Sequence, residues 1–405
     1  MTTTRIQSLA HEDLPLHALA ERLLAIAEAG LPAMYLPDQD TFVFTRAVPS
    51  GTAPLEGAPA TAWTLEQRGT STRYAAITAL GVRFLPEDRQ RAVLGGHSAE
   101  EFTGLLIQRL PEVTNLGDAA LIAWAAAETG HPKLADALER VAALDLPGVS
   151  QYTVEAAWVL SALAAARGTL DVEARLTVAR DRLLNCRIGN SPLFPHATGP
   201  GLVPWYRSHI GCFADQTYPM QALARAHASA DGAGSGDPEA LAAADACAHR
   251  ICELQGEGGQ WWWHYDARLG TVVEGYPVYS VHQHAMAPTA LFDVTEAGGS
   301  DYGPAIRKGL RWMTEVTELA AAPGKAEPMI LDELGVTWRK VYRGDPKKAV
   351  RAARGVTTRV LPGATLGPLD RLFGPDAVDR ECRPYEFGWM LFAWLGSLPA
   401  SGAQS

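Results

Sequence analysis

The residues best suited to chemistry fall in three short stretches. The first holds Trp205, Tyr206, Arg207 and His209, then Asp215 and Tyr218 within Gly211-Cys212-Phe213-Ala214-Asp215-Gln216-Thr217-Tyr218. The second, Gln255 to Pro288, reads QGEGGQWWWHYDARLGTVVEGYPVYSVHQHAMAP and carries Trp262, Trp263, His264, Asp266, Glu274, Tyr279, His282 and His284. The third is Arg383, Tyr385 and Glu386 in Cys382-Arg383-Pro384-Tyr385-Glu386. Asp215, Asp266 and Glu274 can supply the acid and base that breaking a glycosidic bond or adding water requires. His282 and His284 are further catalytic candidates, because imidazole exchanges protons near neutral pH. The tryptophans and tyrosines, with His264, offer faces for stacking on a sugar ring or for steadying a carbocation. Arg207 and Arg383 can fork onto a carboxylate or phosphate, and Glu386 can accept hydrogen bonds. A plainer reading of Asp215 and Glu386 also holds, since helix N-termini favour carboxylates.

A metal reading of His282 and His284 would take Asp266 or Glu274 as a third ligand. Helical positions two apart face different directions, so the pair is a weak ligand set. The expectation is a site with no metal and no cofactor.

These residues need elements to hold them, and helical periodicity dominates the chain in pairs. Tyr74 to Phe84 is followed by Ala99 to Leu110, where Ser98 and Glu101 form a capping box. Asp118–Thr129 precedes Pro132–Leu144, and Tyr152–Arg167 precedes Val172–Leu184. Phe213–Ser229 precedes Pro238–Leu254, which Asp237 caps, and His284–Ala297 precedes Tyr302–Leu319. The last helix, Tyr385–Leu398, takes Leu14–Ala29 as its partner. First members are apolar all round, as in Leu121-Ile122-Ala123-Trp124, whereas second members carry a charged face, as with Lys133, Asp136, Glu139 and Arg140. Helices of the first kind are buried and those of the second cover them. The pattern predicts an all-α (α/α)6 barrel, one domain over residues 1–405, with an irregular helical array as the alternative. Links within pairs are short. Those between pairs are often long, notably 31–73, 185–212, 255–283 and 320–384, and they gather on one rim. That rim is the expected active site.

The segment 324–363 has nine bases (Lys325, Arg339, Lys340, Arg343, Lys347, Lys348, Arg351, Arg354, Arg359) against four acids in a chain whose net charge is −10. It reads as a basic lid, within an insertion over 320–384, that draws in a uronate, phosphate or diphosphate, or else as a solvated helix from Pro346 to Ala353 capped by Asp345. The acidic whole disfavours nucleic acid as a partner. Apolar runs are too short to cross a bilayer, and Met1 to Leu19 lacks a secretory core. With five cysteines and no CxxC pair, the expectation is a cytoplasmic protein with reduced thiols and a small-molecule substrate.

Gln255-x-x-x-Gly259-x-Trp261 resembles the QW repeat of the terpenoid cyclase and prenyltransferase toroids. It is also similar to the Gln–Gly–Trp turn of the six-hairpin glycosidases, such as the unsaturated glucuronyl hydrolases. In the cyclases this element ties the end of an outer helix to its neighbour, which would make Gln255, Gly259 and Trp261 structural. The resemblance implies the toroid and leaves the chemistry open. A carbohydrate-active hydrolase, lyase or epimerase leads. A terpenoid cyclase is the alternative, although the DxDD and DDxxD motifs are missing and Asp215 or Asp266 would have to serve as an unconventional acid. A non-catalytic ligand-binding toroid is the third reading.

Overall fold

A computed structural model describes residues 4–49, 62–230, 236–320, 327–343, 347–364, 366–372 and 375–398. Lys325, Asp345 and Pro346 of the anticipated lid lie outside the described residues. The helices in chain order are α1 Arg5–Glu12, α2 Leu14–Gly30, α3 Thr72–Val82, α4 Glu87–Val93, α5 Ala99–Gln108, α6 Leu116–Glu128, α7 Leu134–Leu144, α8 Thr153–Ala166 and α9 Glu173–Asn185. They continue with α10 Ala214–Ala228, α11 Pro238–Glu253, α12 Ala287–Glu296, α13 Gly303–Arg311, α14 Thr317–Ala320, α15 Lys347–Val360, α16 Gly367–Leu372 and α17 Pro384–Leu395.

Among the described residues, α3, α6, α8, α10, α12 and α17 pack in that order into a closed inner ring. Each is backed by an outer helix: α5, α7, α9, α11, α13 and, for α17, the early helix α2. The division of labour follows from side chains. In α6 every residue from Ala119 to Ala126 is buried, whereas α7 buries Leu134, Ala137, Leu138 and Val141 and exposes Asp136 and Glu139. Ring closure between the first and last inner helices rests on a glycine pair. A Cβ on Gly81 would lie 2.0 Å from the Gly388 carbonyl oxygen, so the two backbones touch there.

Three local departures from the periodicity have physical causes. The Tyr302–Leu319 pattern breaks after Arg311, because the chain turns at buried Trp312, whose indole donates to Glu318 (2.7 Å). The inner helix expected from His284 begins as a π-turn over His282–Met286. Pro288 has no N–H to give the His284 carbonyl, which accepts instead from the Trp394 indole (2.8 Å). The short helix anticipated at Pro346–Ala353 runs longer, as α15 through Val360.

The barrel axis is sealed at the C-terminal ends of the inner helices. Buried Arg5 pairs with Asp293 and Glu296, and Arg225 pairs with Glu128 and, at 3.5 Å, with Asp293. Arg83 also reaches Glu128 (2.7 Å) and Gln221 donates to Asp293 (3.1 Å). The opposite rim carries the long loops, folded into small antiparallel sheets. β1 Tyr35–Leu36, β2 Thr41–Ala47 and β3 Glu66–Thr70 form one with a late strand, Glu381–Cys382. β4 Ile210–Cys212, β5 His264–Asp266 and β6 Thr271–Glu274 form a second, and β7 Val278–Tyr279 belongs to a third. β8 Ile330–Leu331 pairs with β9 Val336–Thr337, β10 Lys340–Arg343 lies between β7 and β11 Pro375–Asp379, and β12 is the late strand Glu381–Cys382. Among the described residues, no helix is long and apolar enough to cross a membrane.

Candidate active site

A cavity of about 160 Å³ opens at the rim over the mouths of α10, α12 and α17. Each element contributes side chains for a local reason. The start of α10 brings Cys212, Phe213, Ala214 and Tyr218, and the π-turn ahead of α12 brings His282 and Met286. The start of α17 brings Tyr385, β7 brings Tyr279, and the residue before β5 is Trp263. Arg339 completes the wall. It arrives because β10 pairs with β7, setting Lys340 opposite Tyr279, and the Ser280 N–H donates to the Arg339 carbonyl (2.9 Å). The Arg339 guanidinium then sits 5.1 Å from the centre of the Tyr279 ring.

Behind Arg339 and Tyr385 lies Glu386, fully buried, with its carboxylate 3.8 Å from the guanidinium Nε. Among the described residues neither of its oxygens has a hydrogen-bond partner. Burial pushes this carboxyl up to about 8, and Arg339 and Arg383 offset only part of the effect. Glu386 is therefore largely a neutral acid at pH 7. Burial also raises the phenols of Tyr218, Tyr279 and Tyr385, so they stay protonated donors. It lowers His282 to about 3, with Arg339 adding to the effect, so the cavity imidazole is neutral.

On the α10 side, buried Asp215 accepts from the Cys212 backbone N–H (2.6 Å) and faces His196 Nδ1 (2.8 Å). The Asp215 charge raises the His196 imidazole above its ordinary value, with burial opposing it. His196, Cys212 and Arg339 were not singled out from the sequence as site residues. Cys212 stands three positions before Asp215 and Arg339 belongs to the basic segment, but His196 carries no local sequence signal.

The other anticipated residues divide between cavity wall and surroundings. Trp263 stacks on His264 with ring centres 4.3 Å apart, and the Arg351 guanidinium lies 3.9 Å over Trp263. Trp262 turns away, its indole donating to the Leu254 carbonyl (2.6 Å). Glu274 meets His264 Nδ1 at 3.0 Å with Arg351 at 3.9 Å, outside the lining. Asp266 is held by Arg268 through side chain (2.8 Å) and backbone (2.9 Å). His284 is buried, with neither ring nitrogen hydrogen-bonded among the described residues, and burial lowers it to about 3. Arg383 pairs with Glu381 (2.8 Å) and donates to the Tyr74 hydroxyl (3.0 Å), while Tyr385 stacks on Tyr74. Trp205 is 64% exposed beside Tyr206; burial lowers the His264 imidazole, and half-buried Arg207 adds to that while opposing part of the rise at His196.

With this geometry in place, the whole chain can be set against solved structures. It matches an unsaturated glucuronyl hydrolase specific for heparin with a TM-score of 0.55 at 12% identity, over 93% of this chain and 95% of that one. The unsaturated glucuronyl hydrolase of Bacillus sp. GL1, responsible for the degradation of glycosaminoglycan, matches at 0.54 and 14% identity, over 96% and 100%. A possible member of the GH105 family from Klebsiella pneumoniae matches at 0.53 and 11%, over 95% and 92%. What is shared is the fold. The chain is an (α/α)6 toroid. No protein-family model matches it, and neither does any curated protein sequence.

The Gln–Gly–Trp turn is structural, as its resemblance implied. Gln255 at the end of α11 donates to the carbonyls of Gly259 (3.0 Å) and Ala305 (3.0 Å), tying α11 to α13. Gly259 has a positive φ of 93°, and a Cβ there would lie 2.1 Å from the Lys308 carbonyl oxygen. Trp261 is fully buried and stacks on Phe213.

Proposed function

We propose that this toroid is a carbohydrate-active enzyme, a hydrolase, lyase or epimerase, that works by acid/base chemistry on one sugar ring held in the rim cavity. The observation that carries the reading is the pairing of an aromatic-walled cavity with the buried carboxyl of Glu386 beside Arg339, whose oxygens have no hydrogen-bond partner among the described residues. Trp263, Tyr279 and Tyr385 give stacking faces, and three phenols give donors for sugar hydroxyls. A volume of about 160 Å³ is well below the ~300–1,000 Å³ of drug-sized sites, which favours a terminal ring over the middle of a chain. Arg339 and Arg351, both from the basic segment, favour an anionic ring such as a uronate. In this role 320–384 acts as the lid. An anionic sugar that engages Arg339 draws it from Glu386, which then serves as proton donor. Asp215, paired with His196, serves as the acceptor on the α10 side. The sugar hydrolases of like fold support this choice over isoprenoid chemistry.

The test is product analysis with uronate-ended and neutral oligosaccharides, saturated and unsaturated, alongside prenyl diphosphates. Turnover of a uronate-ended sugar, lost in Glu386→Gln and in Asp215→Asn, sustains the proposal. Turnover or binding of prenyl diphosphates alone overturns it.

A further inference from the structure

His196, Cys212 and Asp215 meet beside the cavity, and the hydrogen bonds described above leave part of their valence unused. One nitrogen, one sulfur and one oxygen from the three side chains lie within 4.8 Å of one another. Asp215 is fully buried, and among the described residues its Oδ1 has no hydrogen-bond partner. We propose that these three residues form a divalent metal site of the zinc type, open toward the cavity.

Two physical arguments support it. The donor set, imidazole, thiolate and carboxylate, is the one zinc accepts, and three protein ligands are the number found where zinc keeps a position free for water or substrate. The arrangement is held rigidly by Gln216, also fully buried. Its amide accepts from the Phe194 N–H (2.8 Å) and donates to the carbonyls of Phe194 (2.9 Å) and Cys212 (3.1 Å). It thus clamps the loop carrying His196 to the strand carrying Cys212, one residue from Asp215. Outer partners of this kind orient metal ligands. Because Cys212 also lines the cavity, the free position faces the space assigned to the sugar.

The inference goes beyond the sugar-enzyme reading and does not depend on it. With a cation bound, Asp215 and His196 act as ligands. Without one they remain the proton-accepting pair.

The experiment uses the full chain, stripped with a chelator and titrated with cobalt(II), then with zinc(II) in competition. The expected result is one cobalt per chain with a thiolate-to-metal charge-transfer band, displaced by zinc. Cys212→Ser should abolish the band, and His196→Ala and Asp215→Asn should each weaken binding at least tenfold. Cys252→Ser, on an outer helix, should leave the band intact. Far-UV circular dichroism establishes that each variant is folded, and a misfolded Cys212→Ser is replaced by Cys212→Ala. Binding below one equivalent, or a band that survives in a folded Cys212 variant, overturns the proposal. Sugar turnover is measured separately, so either outcome leaves the acid/base reading to be judged by its own assay.

Discussion

Glu386→Gln offers a quantitative test of how the cavity is built. Glutamine has nearly the shape of a protonated glutamate and no proton to lose. In the native chain burial raises the Glu386 carboxyl to about 8 from the ordinary 4.5. Between those values the unfolded chain has released the proton and the folded chain still holds it. Stability contributed by this site is therefore greatest below about pH 4.5 and falls as pH rises, levelling off above about 8. Each pH unit in that window is worth about 1.4 kcal/mol. The accumulated penalty is about 3 kcal/mol at pH 7 and about 5 kcal/mol above pH 8. The glutamine variant escapes it. Its extra amide donor costs about 1–3 kcal/mol if left unpaired, but that cost does not vary with pH. The diagnostic is thus the slope. Urea unfolding of both proteins from pH 5 to 9, followed by circular dichroism, should show the variant gaining on the native chain by about 1.4 kcal/mol per pH unit up to about pH 8. A pH-independent difference would refute the argument. Glu386 would then be ionised in folded and unfolded chain alike across this window, as a partner of Arg339.

Three further outcomes are expected. Trp263→Ala removes the face shared by His264 and Arg351, and should weaken sugar binding by about 0.5–1.5 kcal/mol, seen as a raised KM or Kd with stability little changed. Gly259→Ala forces a Cβ against the Lys308 carbonyl at positive φ, and should lower stability by about 1–3 kcal/mol in chemical denaturation, with no direct effect on the cavity. Glu128→Gln leaves half-buried Arg83 and buried Arg225 short of a counter-charge and should cost about 3–5 kcal/mol. Despite burial, the two arginines hold the Glu128 carboxyl below its usual value. The native chain should therefore lose this contribution as pH falls below about 4.5, while the variant shows no such loss.

The ring of helices was legible because burial is written into composition. A segment such as Leu121 to Ala127 is apolar on every side and can only be an inner helix, and Lys133 to Arg140 can only cover one. Gln255, Gly259 and Trp261 were legible through the resemblance of their turn to the helix tie of known toroids. The cavity was less so. Tyr218, Trp263, Tyr279, His282 and Tyr385 come from stretches already suspect for their chemistry, but Trp262, suspect for the same reason, turns away to donate to the Leu254 carbonyl. Asp266 and Glu274 sit where a sequence argument would put acids, yet Arg268 and His264 hold them through contacts that only the fold reveals. Arg339 and His196 reach the site through strand pairing and loop packing across long separations, and spacing does not encode such approaches.

The glycine contact between α3 and α17 also governs how the molecule can come into being. The ring's first inner helix begins near residue 72 and the helix that completes it begins at Pro384. During synthesis, the apolar flanks of α3 and α12 must wait for a segment made more than three hundred residues after α3. Pairs of helices can assemble early, because their contacts are local, but closure is a distant encounter with a large loop to draw shut. A growing chain therefore carries two sticky, unmatched ends for most of its time on the ribosome, and the last inner helix is the step that removes them.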